Sequence, residues 1–284
     1  MTEARLLIDK SDRLADAARV ESTPHVRQFG AVNWLGLWTL YLREVRRFLK
    51  VSMQTVIAPV VTTLLFLAIF LLAFASQRGA VNGIPFAQFL APGLIMMAMI
   101  QNAFANTTSS LMIAKMQGSI SDILMPPLSP AELVWGFALG GVTRGLICGA
   151  AVGATMILVV HVGVADWRLV LFHAVAASLL MSLLGILAAL WAEKFDHIAA
   201  VTNFIVMPLS FLSGTFYSID RLPAMFRVIA DFNPFFYMID GFRAGFIGHA
   251  DASVAVGVAV MVGINVVLLV LTHILFARGY KLKA

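Results

Sequence analysis

Asp240 and Arg243 stand three apart in the stretch "NPFFYMIDGFRAGF", 233–246, an acid and a base that share one face of a helix at that spacing and can pair there. Pro234, Gly241 and Gly245 interrupt the same stretch, so it fits neither an ordinary membrane span nor a soluble loop. A further cation, Arg144 in "LGGVTRGLICG", lies among small and apolar residues. If its helix begins at Leu133, Arg144 is roughly 18 Å along it. An isolated Arg at that depth costs at least about 2.5 kcal/mol and demands a partner, a bundle interior or water. If the helix begins at Gly145, Arg144 rests harmlessly at the interface. Functional and structural roles are both open to it.

Other reactive side chains promise less. Cys148 is the single cysteine, which excludes an intrachain disulfide and a structural zinc cluster. The histidines at 25, 161, 173, 197, 249 and 273 lack His-Glu-x-x-His spacing, and no metal is expected. "FLSG", 211–214, places Ser213 beside a glycine as an intramembrane nucleophile would, but small residues routinely line helix contacts in membranes. No catalytic residue is assigned.

The elements that must position these residues follow from composition. The chain is 60% hydrophobic and 12% charged, where a soluble domain carries about 25% charge. Its mean hydropathy is +0.90. Runs free of Asp, Glu, Lys and Arg cover 51–77, 79–114, 145–165, 169–192, 197–219 and 252–277, each long enough for a helix to cross the hydrocarbon core. They are continuous, whereas barrel strands would alternate over about ten residues. The sequence therefore predicts an all-α integral membrane protein with six transmembrane helices. Gly83, Pro85, Pro92 and Gly93 break the start of the second run, so that helix is expected to begin near Phe86 or Pro92.

Basic residues set the expected orientation. Arg27, Arg43, Arg46, Arg47, Lys50, Lys115, Lys194, Arg278, Lys281 and Lys283 fall on one side of the spans, against Arg78, Arg168, Arg221, Arg227 and Arg243 on the other. The richer side is cytoplasmic by the positive-inside rule, which puts both termini there. The pI of 9.7 then reflects topology and membrane lipid headgroups, and no nucleic-acid partner is expected. Residues 1–32 mix both charge signs without an apolar core, reading as a mobile cytoplasmic tail ahead of a membrane domain over 33–284. Over 33–51, Trp34, Trp38, Tyr41, Val45, Phe48 and Leu49 recur at helical spacing, with Arg43, Arg46, Arg47 and Lys50 mostly elsewhere on the wheel. This is an amphipathic interfacial helix or a cytoplasmic extension of the first span.

Energy coupling is narrowed by what the sequence lacks. Every Asp and Glu falls in a predicted loop or at a span end, leaving no evident proton relay. No G-x-x-x-x-G-K-[ST] motif is present to hold nucleotide phosphates. If the chain pumps, another chain supplies the energy. The longest connection, "AKMQGSISDILMPPLSPAELVWG", 114–136, holds a helix-like piece over 117–125 and a stop at Pro126 and Pro127. A second helix start follows, in which Ser129 caps, Pro130 suits the first turn and Glu132 favours the positive helix end. It reads as a docking element or as an ordinary loop.

The order of amphipathic helix, two spans, "DILMPPLSPAEL", three spans with "PLSFLSGTFYSIDRLP", and then "NPFFYMIDGFRAGF" resembles the membrane subunits of ABC type-2 exporters, and within them the YadH-like bacterial inner-membrane permeases. "REVRRFLKVSMQTVIAPVVTTLLF" and "APGLIMMAMIQNAFAN" fit the same group. The resemblance implies a permease subunit in a bacterial inner membrane, working as a pair of copies with a separate ATPase that binds ATP and magnesium. No cofactor is expected on this chain. It also implies a coupling helix over 117–125, so Gln117, Asp122, Leu124 and Met125 are ATPase-coupling candidates, with Pro126, Pro127 and Glu132 fixing the exit. A broken re-entrant hairpin before the last span follows in the same way, with Phe216, Tyr217, Phe235, Phe236 and Tyr237 as an aromatic outer rim beside Asp240 and Arg243. That rim is open to two readings, a translocation path and an interfacial aromatic belt. Relatives in the resembled family export lipid-linked saccharides, lipo-oligosaccharides and hydrophobic drugs. A proton-coupled carrier or a non-transporting scaffold would share the hydropathy but not the paired motifs.

Overall fold

The computed structural model describes residues 30–74, 80–81, 83–217 and 232–281. The chain divides into Met1–Asn33, of which only 30–33 are described, and a body over Trp34–Ala284. The tail expected over 1–32 thus falls almost wholly outside the described residues.

The body is helical, with α1 over Trp34–Leu49, α2 over Ala58–Phe74, α3 over Phe86–Met116, α4 over Ile120–Leu124 and α5 over Pro130–Val160. It continues through α6 over Trp167–Trp191, α7 over Phe195–Val201, α8 over Met207–Ser210, α9 over Pro234–Ile247 and α10 over Val254–Ala277. A π-helical turn, Met53–Ile57, leads into α2, and the fifth span is α7 and α8 joined and followed by π turns at Thr202–Val206 and Phe211–Thr215. Among the described residues, six helical stretches are long and apolar enough to cross a membrane: Met53–Ala73, Phe86–Met116, Pro130–Val160, Trp167–Trp191, Phe195–Thr215 and Val254–Ala277. They match the six predicted runs in order. A two-residue antiparallel ribbon, Ala80–Val81 with Ile84–Pro85, is an addition to the all-α expectation.

Local chemistry sets the boundaries. The α5 start is fixed by a reciprocal cap, in which Ser129 Oγ accepts from the Glu132 amide at 3.3 Å and Glu132 Oε2 accepts from the Ser129 amide at 2.6 Å. Pro130 occupies the first turn, where its missing N–H is not needed. This helix ends at His161 in the left-handed region, φ 57°.

The core is α3, α5 and α6, joined by close backbone approach. Gly141, Gly145 and Gly149 repeat every four residues along α5, and a Cβ at Gly145 would come within 3.1 Å of the Met99 carbonyl oxygen on α3 and 2.8 Å of Ser178 Oγ on α6. On α6, a Cβ at Gly185 would meet the Phe104 carbonyl oxygen at 2.8 Å. A second glycine pair on α5, Gly136 and Gly140, receives Leu40 and Glu44 of α1. At the end of the bundle that carries α4, Lys115 Nζ donates to the Ala189, Leu190 and Ala192 carbonyls at 3.1, 3.2 and 2.7 Å, closing the last turn of α6 onto α3.

Candidate functional site

The loop candidates lie between α3 and α5. The expected helix over 117–125 is shorter than the sequence reading, because Gln117 closes α3 by donating its amide to the Ile113 carbonyl at 2.9 Å and Gly118 then turns left-handed at φ 69°. What remains is α4, whose Ile120 and Ile123 are buried against the core. Leu124 is half-buried, whereas Asp122, Pro126 and Pro127 are exposed and Met125 is 80% exposed. Glu132 is consumed by the α5 cap and is buried. The element therefore presents Asp122, Met125 and the two prolines outward on an anchored apolar base.

At the opposite end of the bundle, residues 234–247 are corrected from a broken segment to one continuous helix, α9. Asn233 caps it by accepting from the Phe235 amide at 3.0 Å, and Gly248 ends it at φ 70°. Gly241 and Gly245 are packing sites, not breaks: the space of a Cβ at Gly241 is filled by the His173 ring, and Gly245 lies against Val170 of α6. The Gly245 carbonyl also accepts from the Ala165 and Asp166 amides at 2.9 and 2.8 Å. The other limb of a hairpin would be 218–231, outside the described residues.

Asp240 and Arg243 do not pair with each other, which corrects the expectation from their spacing. Asp240 accepts from the Asp251 and Ala252 amides at 2.8 and 3.0 Å, fixing the approach to α10. Arg243 donates to the Gly214 carbonyl at 2.6 Å and stands 4.0 Å from the Phe89 ring centroid, a cation–π contact. Both side chains are buried. Gly214, at φ 78°, turns the end of the fifth span so that its carbonyl faces Arg243. Gly93 on α3 makes room for this join, since a Cβ there would come within 2.8 Å of the Thr215 carbonyl oxygen.

The aromatic residues form an interior cluster, not an exposed rim. Phe216 stacks on Phe70 at 4.2 Å and on Phe211 at 5.3 Å, and Phe235, Phe236 and Tyr237 are buried. Tyr217 is half-buried, its hydroxyl donating to the Leu212 carbonyl at 2.7 Å. Ser213 donates to the Leu209 carbonyl and accepts from Asn233 Nδ2 at 2.8 Å, partners that hold a helix end and offer no general base.

Arg144 lies deep within α5. The helix begins at Pro130, so the alternative start at Gly145 is set aside and Arg144 is about 21 Å along it. It donates to Asn102 Oδ1 on α3 at 3.2 Å.

These pieces can be set beside known proteins. Residues 36–247, from α1 through α9, match the family model described as ABC-2 type transporter. The chain belongs to that family. It is 36% identical over 251 residues to the "Inner membrane transport permease YadH" of Escherichia coli strain K12, covering 88% of this chain and 98% of the relative, and equally similar to the protein of that name in Shigella flexneri. "Nodulation protein J" of Rhizobium leguminosarum bv. viciae is 26% identical over 237 residues, 82% of this chain and 89% of the relative. As an ABC-2 member, the chain is a transmembrane permease subunit of an ABC transporter.

One feature of this ABC-2 permease escaped the sequence reading. Glu44 on α1 is fully buried, accepting from Ser110 Oγ at 2.7 Å and from Arg47 at 3.2 Å. Arg47 also donates to the Asn106 carbonyl at 2.7 Å and to Ser109 Oγ at 3.0 Å. Glu44 lies outside the six spans, which carry acids only at their starts, Glu132 and Asp196, so the expectation for the spans holds while a buried acid on α1 is added to it. The apolar stripe expected of α1 is corrected. The buried stripe is Leu40, Glu44 and Phe48, whereas Trp34, Trp38 and Leu49 are exposed. The available signal was the spacing of four that sets Glu44 between two apolar residues.

Proposed function

We propose that two copies of this permease form the membrane unit of an ATP-driven exporter, each docked through α4 on a separate ATPase subunit that holds ATP and magnesium. The observation that carries this reading is α4: a short helix anchored by Ile120 and Ile123, with Asp122 and Met125 exposed, at the end of the bundle that gathers Lys115, Lys194 and Arg278. That end is cytoplasmic by its basic residues, with both termini on the same side. Closure of the ATPases pushes α4 and shifts the spans between inward-open and outward-open arrangements, a shift that requires α4 to interact differently with the two states. The path runs between the first and fifth spans of the two copies, whose outward apolar faces include Ile57, Leu65, Phe204 and Leu212. The cargo is amphipathic, of lipid-linked, saccharide or drug-like type, and moves out of the cytoplasm. Asp240 and Arg243 act as latches at the outer end, one holding α10 and the other the fifth span.

The test is mild-detergent purification of the tagged chain from its native membranes. A stoichiometric partner with a nucleotide-binding motif and ATP turnover is expected, lost on changing Leu124 and Met125 to Asp. Met125→Asp alone alters a side chain exposed in the protomer, so loss of the partner with an unchanged monodisperse chain isolates docking from folding. Unchanged association in both variants rejects the assignment of α4.

A further inference from the structure

A cleft of about 490 Å³ opens between the first and fifth spans, walled by α2 on one side and Met207 on the other and backed by α3 and α5. A second hollow of about 380 Å³ shares Gln101, Asn102, Ser109 and Met207 with it and extends the space toward Phe195 and Thr202. Phe66, Leu94 and Met97 give the larger cleft apolar walls, as a membrane cavity should have. Its polar lining is one-sided in charge, containing Arg47 and Arg144 without any Asp or Glu among the described residues.

The charge balance is informative. Glu44 offsets Arg47 from outside the cleft at 3.2 Å. Arg144 meets the neutral amide oxygen of Asn102 and the Cys148 thiol and no carboxylate, so one guanidinium charge is left over at mid-helix depth among the described residues. The hydrogen bonding leans the same way. Arg47 Nε, Gln101 Nε2 and Arg144 Nε are buried donors with no acceptor among the described residues. A cavity rich in unmet donors and carrying excess positive charge suits an anion with several acceptor oxygens, and guanidinium groups match phosphate oxygens in both charge and geometry.

The geometry points to a phosphate-type anion site in this cleft, centred on Arg144 with Gln101 and Asn102, whose apolar walls accept the chains of an amphiphile that carries the anion. The assignment deepens the permease reading and rests on it for the claim that the ligand is cargo; binding itself does not. Either an amphiphile headgroup or a free phosphate ion supplies the same oxygens, and the arms of the test separate them.

The experiment is calorimetric titration of the full chain in phosphatidylcholine nanodiscs, without an ATPase. The probes are dioctanoyl phosphatidic acid, uncharged dioctanoylglycerol and inorganic phosphate. Phosphatidic acid is expected to bind at least about tenfold more tightly than dioctanoylglycerol, and Arg144→Gln to abolish that preference. Arg144→Lys, which keeps the charge without the fork, retains part of it, and Arg278→Gln leaves it unchanged. Saturable binding of inorganic phosphate with the same dependence on Arg144 assigns the site to the free ion, and its absence assigns it to the headgroup. Equal binding of the charged and uncharged amphiphiles to the unaltered chain overturns the proposal, and this arm needs no variant to fold. So does a preference untouched by Arg144→Gln. Loss of ATPase association in the purification experiment would overturn the permease reading while leaving these titrations standing; failed titrations beside intact association reject only the cleft.

Discussion

The second and first spans invert the rule of soluble proteins. An 18-residue stretch of α3 has a mean hydropathy of 1.3 and is 78% buried, whereas one within Met53–Ala73 has a mean hydropathy of 2.7 and is only 11% buried. In water the apolar helix would be the interior one. In lipid, apolar surface gains little by leaving its solvent, and the interior goes instead to helices with glycine, Ser, Thr and Asn that pack closely and hydrogen-bond. The contrast extends to regularity. The core helix α3 absorbs Pro92 without leaving helical geometry, whereas π turns occur in the first and fifth spans, the two that flank the cleft. A centre packed closely through small residues therefore carries two π-turned walls whose apolar faces point outward from the protomer.

The sharpest way to break this comparison is to add bulk to the core. Gly185→Val drives methyl groups into the Phe104 carbonyl and Thr107, and is expected to cost about 1–3 kcal/mol or more, seen as a lowered melting temperature or loss of monodisperse protein. Val61→Leu, on the 48% exposed face of the first span, should stay within about 0.5 kcal/mol by the same measurement. Equal losses would remove the distinction between centre and wall.

Asp240→Asn comes next, because it weakens two charge-assisted bonds at the start of α10. About 1–3 kcal/mol is expected, with faster amide hydrogen exchange at Asp251 and Ala252 and unchanged exchange in α3. Deleting one residue from the π turn Thr202–Val206 restores ordinary helical register there. The chain should remain folded while ATP turnover uncouples from cargo movement; retained coupling would make the π turns mere packing irregularities.

The smallest effect belongs to the exposed Glu193–Lys281 pair, at 2.9 Å. The Lys281 ammonium holds the Glu193 carboxyl below its ordinary range, and Glu193 in turn raises Lys281. The contribution is therefore present above the ordinary carboxylate value and lost as pH falls through the lowered one. At the alkaline end it is lost as pH rises through the raised lysine value. Glu193→Gln should move the melting temperature at neutral pH by less than about 2 °C, and by less still in high salt.

The sequence made the spans legible because a run long enough to cross the bilayer needs no knowledge of its neighbours. The α5 start was written in Ser129, Pro130 and Glu132, although Arg144 delays the charge-free run to Gly145, fifteen residues after the helix begins. Side-chain pairing was not legible. Asp240 and Arg243 share a helix, but each finds its partner on a segment distant in sequence, and spacing alone cannot reveal an amide twelve residues on or a carbonyl across the bundle. Glu44 was hidden for the same reason: its burial depends on Gly140 and Ser110, which only folding brings to it.

Lys115 fastens the last carbonyls of α6 to the end of α3, five residues before α4 begins. If α4 is pushed as proposed, that joint is placed to serve as a fulcrum. Gly93, beneath Thr215 and Arg243, lies 22 residues up the same helix, about 33 Å away at 1.5 Å per residue. A tilt of α3 by about 5° around Lys115 carries Gly93 sideways by about 3 Å, on the scale of one hydrogen bond. Under the proposed coupling through α4, a small displacement at one end of the bundle would be magnified enough to make or break the Arg243–Gly214 contact at the other.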